Sequence, residues 1–208
     1  ILLSFAISNL LRRFRPVMRA VFVLFDSLNR KALATYGGTS IATPNFDRFA
    51  LRAAQFNKHY AGSLPCMPAR RDMHTGRLNF MHRPWGPLEP FDNSFASILS
   101  DNGVYTHIVS DHLHYFENGG TGYVNAFDSW DFIRGQEYDP IKVMTQPPVS
   151  RLREKFDERQ YPMDSIKEGE TRTKGNTDLT TWRRLRHATN TLFLREEADY
   201  PTAQCFQS

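Results

Sequence analysis

The strongest constraint on the fold is a continuous apolar run near the start of the chain, Ala20–Phe25, which is rich in β-branched and aromatic residues. Such a run predicts a strand buried on both faces, as in a parallel sheet covered by helices. Val104–Val109 predicts a second central strand of the same kind. Helices are predicted between and around these strands. We therefore expect an α/β fold with a three-layer, doubly wound, mostly parallel sheet.

Start and stop residues predict several short helices, because hydroxyl caps, an early proline and a closing glycine mark helix ends. These are a helix capped by Ser27 that runs to about Tyr36, one opened by Thr43-Pro44, Ala69–Thr75, Ser94–Ser100 and Trp182–Glu197. In doubly wound sheets, ligands bind beyond the carboxyl ends of the strands. The polar residues that follow strands or lie in the next loops, Asp26, Cys66 and Asp111–His114, are therefore expected to share one rim.

Composition excludes several classes of protein. The chain has 208 residues, 40% of them hydrophobic, which is enough to fill a core and argues against a disordered or low-complexity chain. Only two cysteines occur, Cys66 and Cys205, so a disulfide scaffold and a cysteine-rich metal site are excluded. The net charge of +4 is too small and scattered to indicate nucleic-acid binding, although it suits anionic substrates.

The start of the chain carries an apolar stretch, Ile1–Leu11, that is too short to span a bilayer. Its positive charges follow the apolar stretch, whereas a secretory signal carries them before it. We expect residues 1–17 to be an upstream extension, Met18 to be the natural start, and residues 18–208 to be the N-terminal part of a catalytic domain. No membrane partner is predicted, a cytoplasmic location is expected, and a homo-oligomer is compatible with the sequence.

The most specific motif is Cys66-Met67-Pro68-Ala69-Arg70 followed by Thr75-Gly76-Arg77. It resembles the signature of the sulfatase family, in which a separate enzyme oxidises the cysteine to formylglycine (3-oxoalanine). The order of segments before the motif also resembles the N-terminal half of a sulfatase. The resemblance is strongest to the branch near phosphonate monoester hydrolases and iduronate-type sulfatases. It implies an alkaline-phosphatase-like fold, here C-terminally truncated, and a formylglycine-generating enzyme as partner.

The resemblance also implies roles for individual residues. Cys66, once oxidised, is the nucleophile, and Arg70 stabilises it as a permanently charged donor. Asp26 and the modified Cys66 hold one divalent cation, with Ca²⁺ favoured and Mg²⁺ or Mn²⁺ as alternatives. Many sulfatases have two adjacent aspartates where this chain has Asp26-Ser27. That difference is typical of the phosphonate hydrolase branch, and it leaves the identity of the metal ion undecided. Outside the resemblance, Asp26 could simply cap a helix and Cys66 could be an ordinary buried cysteine.

The histidines after the second predicted strand leave two alternatives. The iduronate-type spacing Lys-x-x-His puts Asp111 at the lysine position and His114 at the histidine, as proton donor to the leaving oxygen. His112 is the other candidate contact to the substrate, and either histidine could be a polar loop residue. A second metal-binding pair in an Asp-His-Gly context is expected beyond Ser208, so residues 1–208 alone are expected to be inactive.

The predicted function is hydrolysis of small anionic sulfuric esters. The alternatives are a phosphonate monoester or phosphodiester hydrolase of the same superfamily, and a non-catalytic fragment that binds an anion or a partner with Cys66 unmodified. Among the remaining residues, His74 is predicted on a helix surface. Two aromatic-rich segments, Trp85–Pro90 and Ser129–Gln136, are predicted as loops that either line a pocket or pack in the interior.

Overall fold

The computed structural model describes residues 19–117, 120–157, 159, 166–194 and 196–208. The predicted extension at residues 1–17 and the predicted start at Met18 lie outside this part of the chain. The described residues form two compact units that divide between His59 and Tyr60. The α-helices are α1 (Pro44–Ala50) in the first unit and α2 (Cys66–Thr75), α3 (Phe95–Asp101), α4 (Val149–Lys155), α5 (Leu179–Phe193) and α6 (Pro201–Cys205) in the second.

The prediction of a buried strand at Ala20–Phe25 is wrong for this structure. The segment has no strand pairing, and Val21 and Phe22 are 88% and 75% exposed. A strand of a parallel sheet is held by ladder hydrogen bonds to its neighbours and by helices over its faces. No segment in the described part of the first unit supplies either, so the apolar composition alone does not produce a strand here.

The rest of the first unit is built from short turns and one helix. The helix predicted to end near Tyr36 is replaced by two 3₁₀ turns, Arg30–Ala32 and Ala34–Tyr36. Gly37 ends the second turn with φ of +87°, as the predicted glycine stop requires. Helix α1 begins at Pro44 as predicted, but the Oγ1 of Thr43 does not cap it. That oxygen accepts a hydrogen bond from the backbone N–H of Ala34 at 3.0 Å instead.

The second unit contains a two-stranded parallel sheet of β1 (His107–Ser110) and β2 (Ser129–Phe132). Strand β1 confirms the second predicted strand, displaced by a few residues toward its carboxyl end. Strand β2 lies in a segment that was predicted as a loop. This parallel pair places the described chain in the α/β class, and the larger doubly wound sheet stays a prediction.

Helices α2, α3 and α5 confirm the sequence-based predictions, with shifted ends. Helix α2 begins at Cys66, so Pro68 is its third residue, and it ends at Gly76 with φ of +68°. Helix α5 is capped by Asp178, whose side chain accepts a hydrogen bond from the backbone N–H of Thr181. Among the described helices, none has the length and apolar character to cross a membrane.

Two hydrophobic clusters hold the second unit. One lies around α4 and α5 and consists of Met144, Val149, Leu152, Ile166, Trp182, Leu185, Ala188 and Leu192. The other lies beneath α2 and consists of Met67, Tyr115, Tyr123 and Val124. Cys66 and Trp85 are partly buried against this second cluster. It therefore fixes the helix that carries the sulfatase-like motif.

Candidate active site

Cys66 is the first residue of α2 and is partly buried. The next residue, Met67, is 1% exposed and anchors the start of the helix in the cluster with Tyr115 and Tyr123. No side chain caps the N-terminus of α2, where Pro65 occupies the capping position. The first turn of a helix presents backbone N–H groups that lack partners within the helix. Cys66 therefore lies at the positive end of a ten-residue helix.

Other side chains of α2 are fixed by buried polar contacts. Arg71 donates hydrogen bonds to the carboxylate of Asp92 and to the carbonyl of Pro87, and the side chains of Arg71 and Asp92 are each 1% exposed. Nδ1 of His74 lies 3.0 Å from the hydroxyl of Ser94. Burial, and second the charge of Arg70, lower the pKa of His74 to about 4. The prediction of a surface position for His74 is wrong, because its ring packs among aromatic side chains.

Three residues that the sequence singled out come together within the second unit. A ring nitrogen of His112 lies within 4.8 Å of the Sγ of Cys66. Arg70 follows one turn after Cys66 and is 5% exposed, with its guanidinium carbon 5.5 Å from the centre of the Tyr115 ring. We call Cys66, Arg70 and His112 the Cys66 site. It combines a sulfur-bearing side chain, a permanent cation and an imidazole at the start of one helix.

His112 is a neutral imidazole at physiological pH. Its burial, followed by the positive charges of Arg70 and His114, lowers its pKa to about 3. The side chain is held edge-on to the rings of His114 and Tyr115, at centroid distances of 5.1 and 5.2 Å. An anion bound near His112 and Arg70 would offset the positive charge of Arg70 and raise this pKa. The Cys66 site is thus suited to receive negative charge.

His114 faces carboxylates rather than the thiol. Its Nδ1 lies 2.6 Å from Oε2 of Glu117 and its Nε2 lies 3.4 Å from Oε2 of Glu137. The hydroxyl of Tyr138 donates to Glu117 at 2.8 Å, and the ring of Trp85 meets His114 edge-on at 4.7 Å. With both ring nitrogens directed at carboxylates, His114 is held in place beside His112. The geometry therefore favours His112 over His114 as the contact to a substrate.

Asp111, Asp26 and Cys205 are the other residues that the sequence singled out. Asp111 accepts a hydrogen bond from the hydroxyl of Thr202 at 3.0 Å, so its carboxylate is engaged with α6. Asp26 belongs to the first unit and is exposed, and its role as a metal ligand stays a prediction. The second cysteine, Cys205, lies in α6, where burial and second the charge of Asp111 raise its thiol pKa to about 11. That thiol stays protonated and unreactive at neutral pH.

The sequence reasoning missed the aromatic and acidic surroundings of the site. Tyr115 supports Arg70, and Glu117 and Tyr138 fix His114, yet none of the three belongs to a recognisable motif. Trp85 was predicted as a pocket or packing residue, and it packs against the cluster beneath α2. The only available signal was the high aromatic content around these positions, which does not by itself specify partners.

A comparison with known protein families agrees with the motif. The family model described as Sulfatase matches residues 19–174. The chain belongs to the sulfatase family. Membership implies the alkaline-phosphatase-like α/β fold, of which the described residues show several helices and a small parallel sheet. Much of the matched range, including Cys66, Arg70 and His112, lies in the second unit.

Curated sulfatases resemble part of the chain. The N-acetylglucosamine-6-O-sulfatase of Bacteroides thetaiotaomicron is 27% identical over 128 residues, covering 58% of this chain and 22% of that sulfatase. Human arylsulfatase H is 28% identical over 113 residues, covering 47% and 20%. The choline-sulfatase of Rhizobium meliloti is 30% identical over 107 residues, covering 47% and 21%. The matches thus span about a fifth of each relative, and no solved structure matches significantly.

Proposed function

We propose that these residues carry the nucleophile and anion-binding part of a sulfuric ester hydrolase in which Cys66 becomes formylglycine. One observation carries the proposal: Cys66 begins α2, the buried Arg70 follows one turn later, and His112 lies within 4.8 Å of the thiol sulfur. A cluster of a cysteine, a buried guanidinium and a buried imidazole is typical of a functional site and not of an apolar core.

The conversion of Cys66 is a two-electron oxidation of its β-carbon. The groups –CH₂–SH and water become –CHO and hydrogen sulfide, and two electrons and two protons leave. A separate formylglycine-generating enzyme would pass them to an oxidant such as dioxygen. When hydrated, the aldehyde supplies two hydroxyls on one carbon, one to attack sulfur with loss of the alcohol and one whose proton loss re-forms the aldehyde and releases sulfate.

The residues of the chain bind and orient the anion in this scheme. Arg70 cannot lose its proton at any working pH, so it supplies a permanent charge to the oxygens of the ester. His112 is neutral in the described state and donates one N–H to an oxygen. The backbone N–H groups at the start of α2, which no side chain caps, favour negative charge at the same place. A proton held by His112 after the anion has raised its pKa can then pass to the leaving oxygen.

A divalent cation is the expected cofactor, and the chemistry of the donors bears on this. Hard cations such as Ca²⁺ and Mg²⁺ prefer oxygen ligands, and Asp26 offers a carboxylate. The thiol of Cys66 is a soft ligand that suits such ions poorly, whereas its hydrated aldehyde offers oxygen. The predicted donors therefore fit a hard cation only after oxidation. When bound, the cation would lower the pKa of a hydroxyl and polarise the ester oxygens.

The alternative substrate class is a phosphonate monoester or phosphodiester. It rests on Asp26-Ser27, where many sulfatases carry two aspartates, because a site with fewer carboxylates resembles the phosphonate hydrolase branch. The curated relatives described above are named as sulfatases, which supports sulfate esters as the first choice.

Turnover separates these possibilities. The protein encoded by the complete reading frame that contains these residues is coexpressed with a formylglycine-generating enzyme and assayed with Ca²⁺ on an aryl sulfate and a phenyl phosphonate ester. We expect preferential hydrolysis of the sulfate and its abolition by Cys66→Ala, with Cys205→Ala as the matched control that keeps activity. Preferential hydrolysis of the phosphonate would favour the alternative, and equal activity of Cys66→Ala would refute both.

A further inference from the structure

A basic cleft lies outside the Cys66 site. It has a volume of about 420 Å³ and is formed by residues 140–145, residues 171–174 and helix α5. Four of its lining residues are basic: Lys142, Arg172, Lys174 and Arg186. No member of the Cys66 site contributes to the lining. The cleft is large enough for a small molecule rather than a single ion.

Arg186 is the buried member of this group. It is 9% exposed, its guanidinium carbon lies 4.8 Å from the centre of the Trp182 ring, and one terminal nitrogen donates to the carbonyl of Lys142. Its Nε has no hydrogen-bond partner, and no carboxylate pairs with the guanidinium within the described ranges. Burial alone lowers the pKa of Arg186, with no acidic group opposing that shift. A buried cation without a counter-charge is costly, and a bound anion would compensate it.

The other basic residues add to the positive potential. Arg172 forms an ion pair with Glu170 at 2.8 Å, and this pair balances the charge of Arg172. Lys142 and Lys174 are exposed, and neither forms an ion pair with a carboxylate in the portion of the chain that the structure describes. The ammonium of Lys142 lies 5.3 Å from the centre of the Phe193 ring. Three basic residues without carboxylate partners among the described residues therefore line one cleft, which favours positive potential there.

We propose that this cleft is a second anion-binding site, which takes an oxyanion of the sulfate or phosphate type carried on a larger molecule. The guanidinium of Arg186 offers directional donors to oxygen, and the two lysines offer mobile ammonium groups. The cleft and the Cys66 site share no residue. The cleft would hold a second anionic group of a ligand, or a separate anion, without contact to the nucleophile.

Calorimetric titration of the 208-residue chain with sodium sulfate, at ionic strength held constant with chloride, tests the proposal. The titrations use an Arg70→Met background, which removes the main cation of the Cys66 site, and are repeated with phosphate. In that background Arg186→Met and the double variant Lys142→Met/Lys174→Met each remove cleft charges. Arg184→Met is the matched control, because Arg184 is exposed on the same helix and does not line the cleft.

We expect saturable binding of sulfate or phosphate in the Arg70→Met background. Arg186→Met and the double lysine variant should weaken it at least about tenfold, the loss that one charge-assisted hydrogen bond gives. Arg184→Met should change it less than about twofold. The double variant keeps the test valid if Arg186→Met unfolds, because both lysines are exposed. The cleft proposal would be overturned by equal binding in all variants, by equal binding of chloride, or by no binding once Arg70 is replaced. Loss of all binding in Arg70→Met would still leave the proposed function of the Cys66 site standing.

Discussion

Arg71 of helix α2 and Asp92 form a buried ion pair, and each side chain is only 1% exposed. The neighbouring Arg70 has a different environment, stacked on the ring of Tyr115 and close enough to His112 to lower its pKa. Two consecutive arginines in the same helix thus have different roles. Arg71 fixes the helix to the rest of the second unit, and Arg70 supplies charge to the site.

Substitutions at these positions should separate stability from anion binding. Asp92→Asn leaves the buried Arg71 without a counter-charge and should lower the free energy of unfolding by about 3–5 kcal/mol. Arg70→Met keeps an aliphatic stem over Tyr115 and should change the free energy of unfolding by about 1 kcal/mol or less, while removing the main charge of the site. Urea denaturation monitored by circular dichroism measures both. Equal destabilisation by the two substitutions would contradict this division of roles.

The same contact predicts a change in histidine titration. The charge of Arg70 lowers the pKa of both His74 and His112, after the larger effect of burial. In Arg70→Met the pKa of each histidine should therefore rise, while burial keeps it below the ordinary value of 6.5. Ring-proton chemical shifts followed by NMR across pH measure this. Unchanged titration of both histidines in the variant would show that Arg70 does not approach them.

Two buried neutral histidines also predict a loss of stability in weak acid. The unfolded chain binds a proton at each histidine as pH falls below about 6.5, whereas the folded chain resists protonation of His74 down to about 4 and of His112 down to about 3. The contribution of the two neutral histidines to the free energy of unfolding is therefore fully present above about pH 6.5. It declines as the pH falls toward the pKa values of the folded state. Between pH 7.5 and 5 the free energy of unfolding should fall by on the order of 2 kcal/mol per histidine.

Urea denaturation at several pH values checks this decline. His74→Gln, which can still contact the hydroxyl of Ser94, should have a flatter profile. The range above pH 5 is used because carboxylates titrate mainly below it. A stability that stays constant from pH 7.5 to 5 would contradict the buried, neutral state of both rings.

The roles of the two histidines after β1 can be told apart by kinetics. His112 lies beside the thiol of Cys66, whereas both ring nitrogens of His114 face glutamates. In the complete protein, His112→Ala should lower kcat/KM for an aryl sulfate by roughly 10²–10⁴-fold, the usual effect of removing a general acid. His114→Ala should lower kcat/KM less, because His114 acts only by holding the ring of His112 in place. A larger loss in His114→Ala would restore the assignment that the iduronate-type spacing suggested.

The sequence predicted local features better than long-range ones. The helix that carries the cysteine motif, the glycine stops at Gly37 and Gly76 and the start of α1 follow from short-range rules, and the structure confirms them. The strand at Ala20–Phe25 depended on partners elsewhere, and in the described part of the chain no segment pairs with it. Apolar composition predicts burial only where another segment exists to cover it.

Prediction of the candidate site from the sequence has the same limit, because long-range contacts decide part of it. The spacing from Cys66 to Arg70 is a helical turn, so their proximity follows from the sequence alone. The choice between His112 and His114 does not, because it depends on where Glu117 and Glu137 point their carboxylates. His74 was misassigned for a similar reason, since the residues that bury it come from α3 and from the segment after β1.

The central claim is that Cys66 is converted to an aldehyde, and peptide mass spectrometry tests it most directly. The chain is expressed with and without a formylglycine-generating enzyme, digested, and treated with a hydrazide that reacts with aldehydes. With the enzyme, the peptide that holds Cys66 should lose the mass difference between –CH₂–SH and –CHO and should form a hydrazone, while Cys205 remains a thiol. A free thiol at Cys66 after coexpression, with a known sulfatase converted in parallel under the same conditions, would contradict the account.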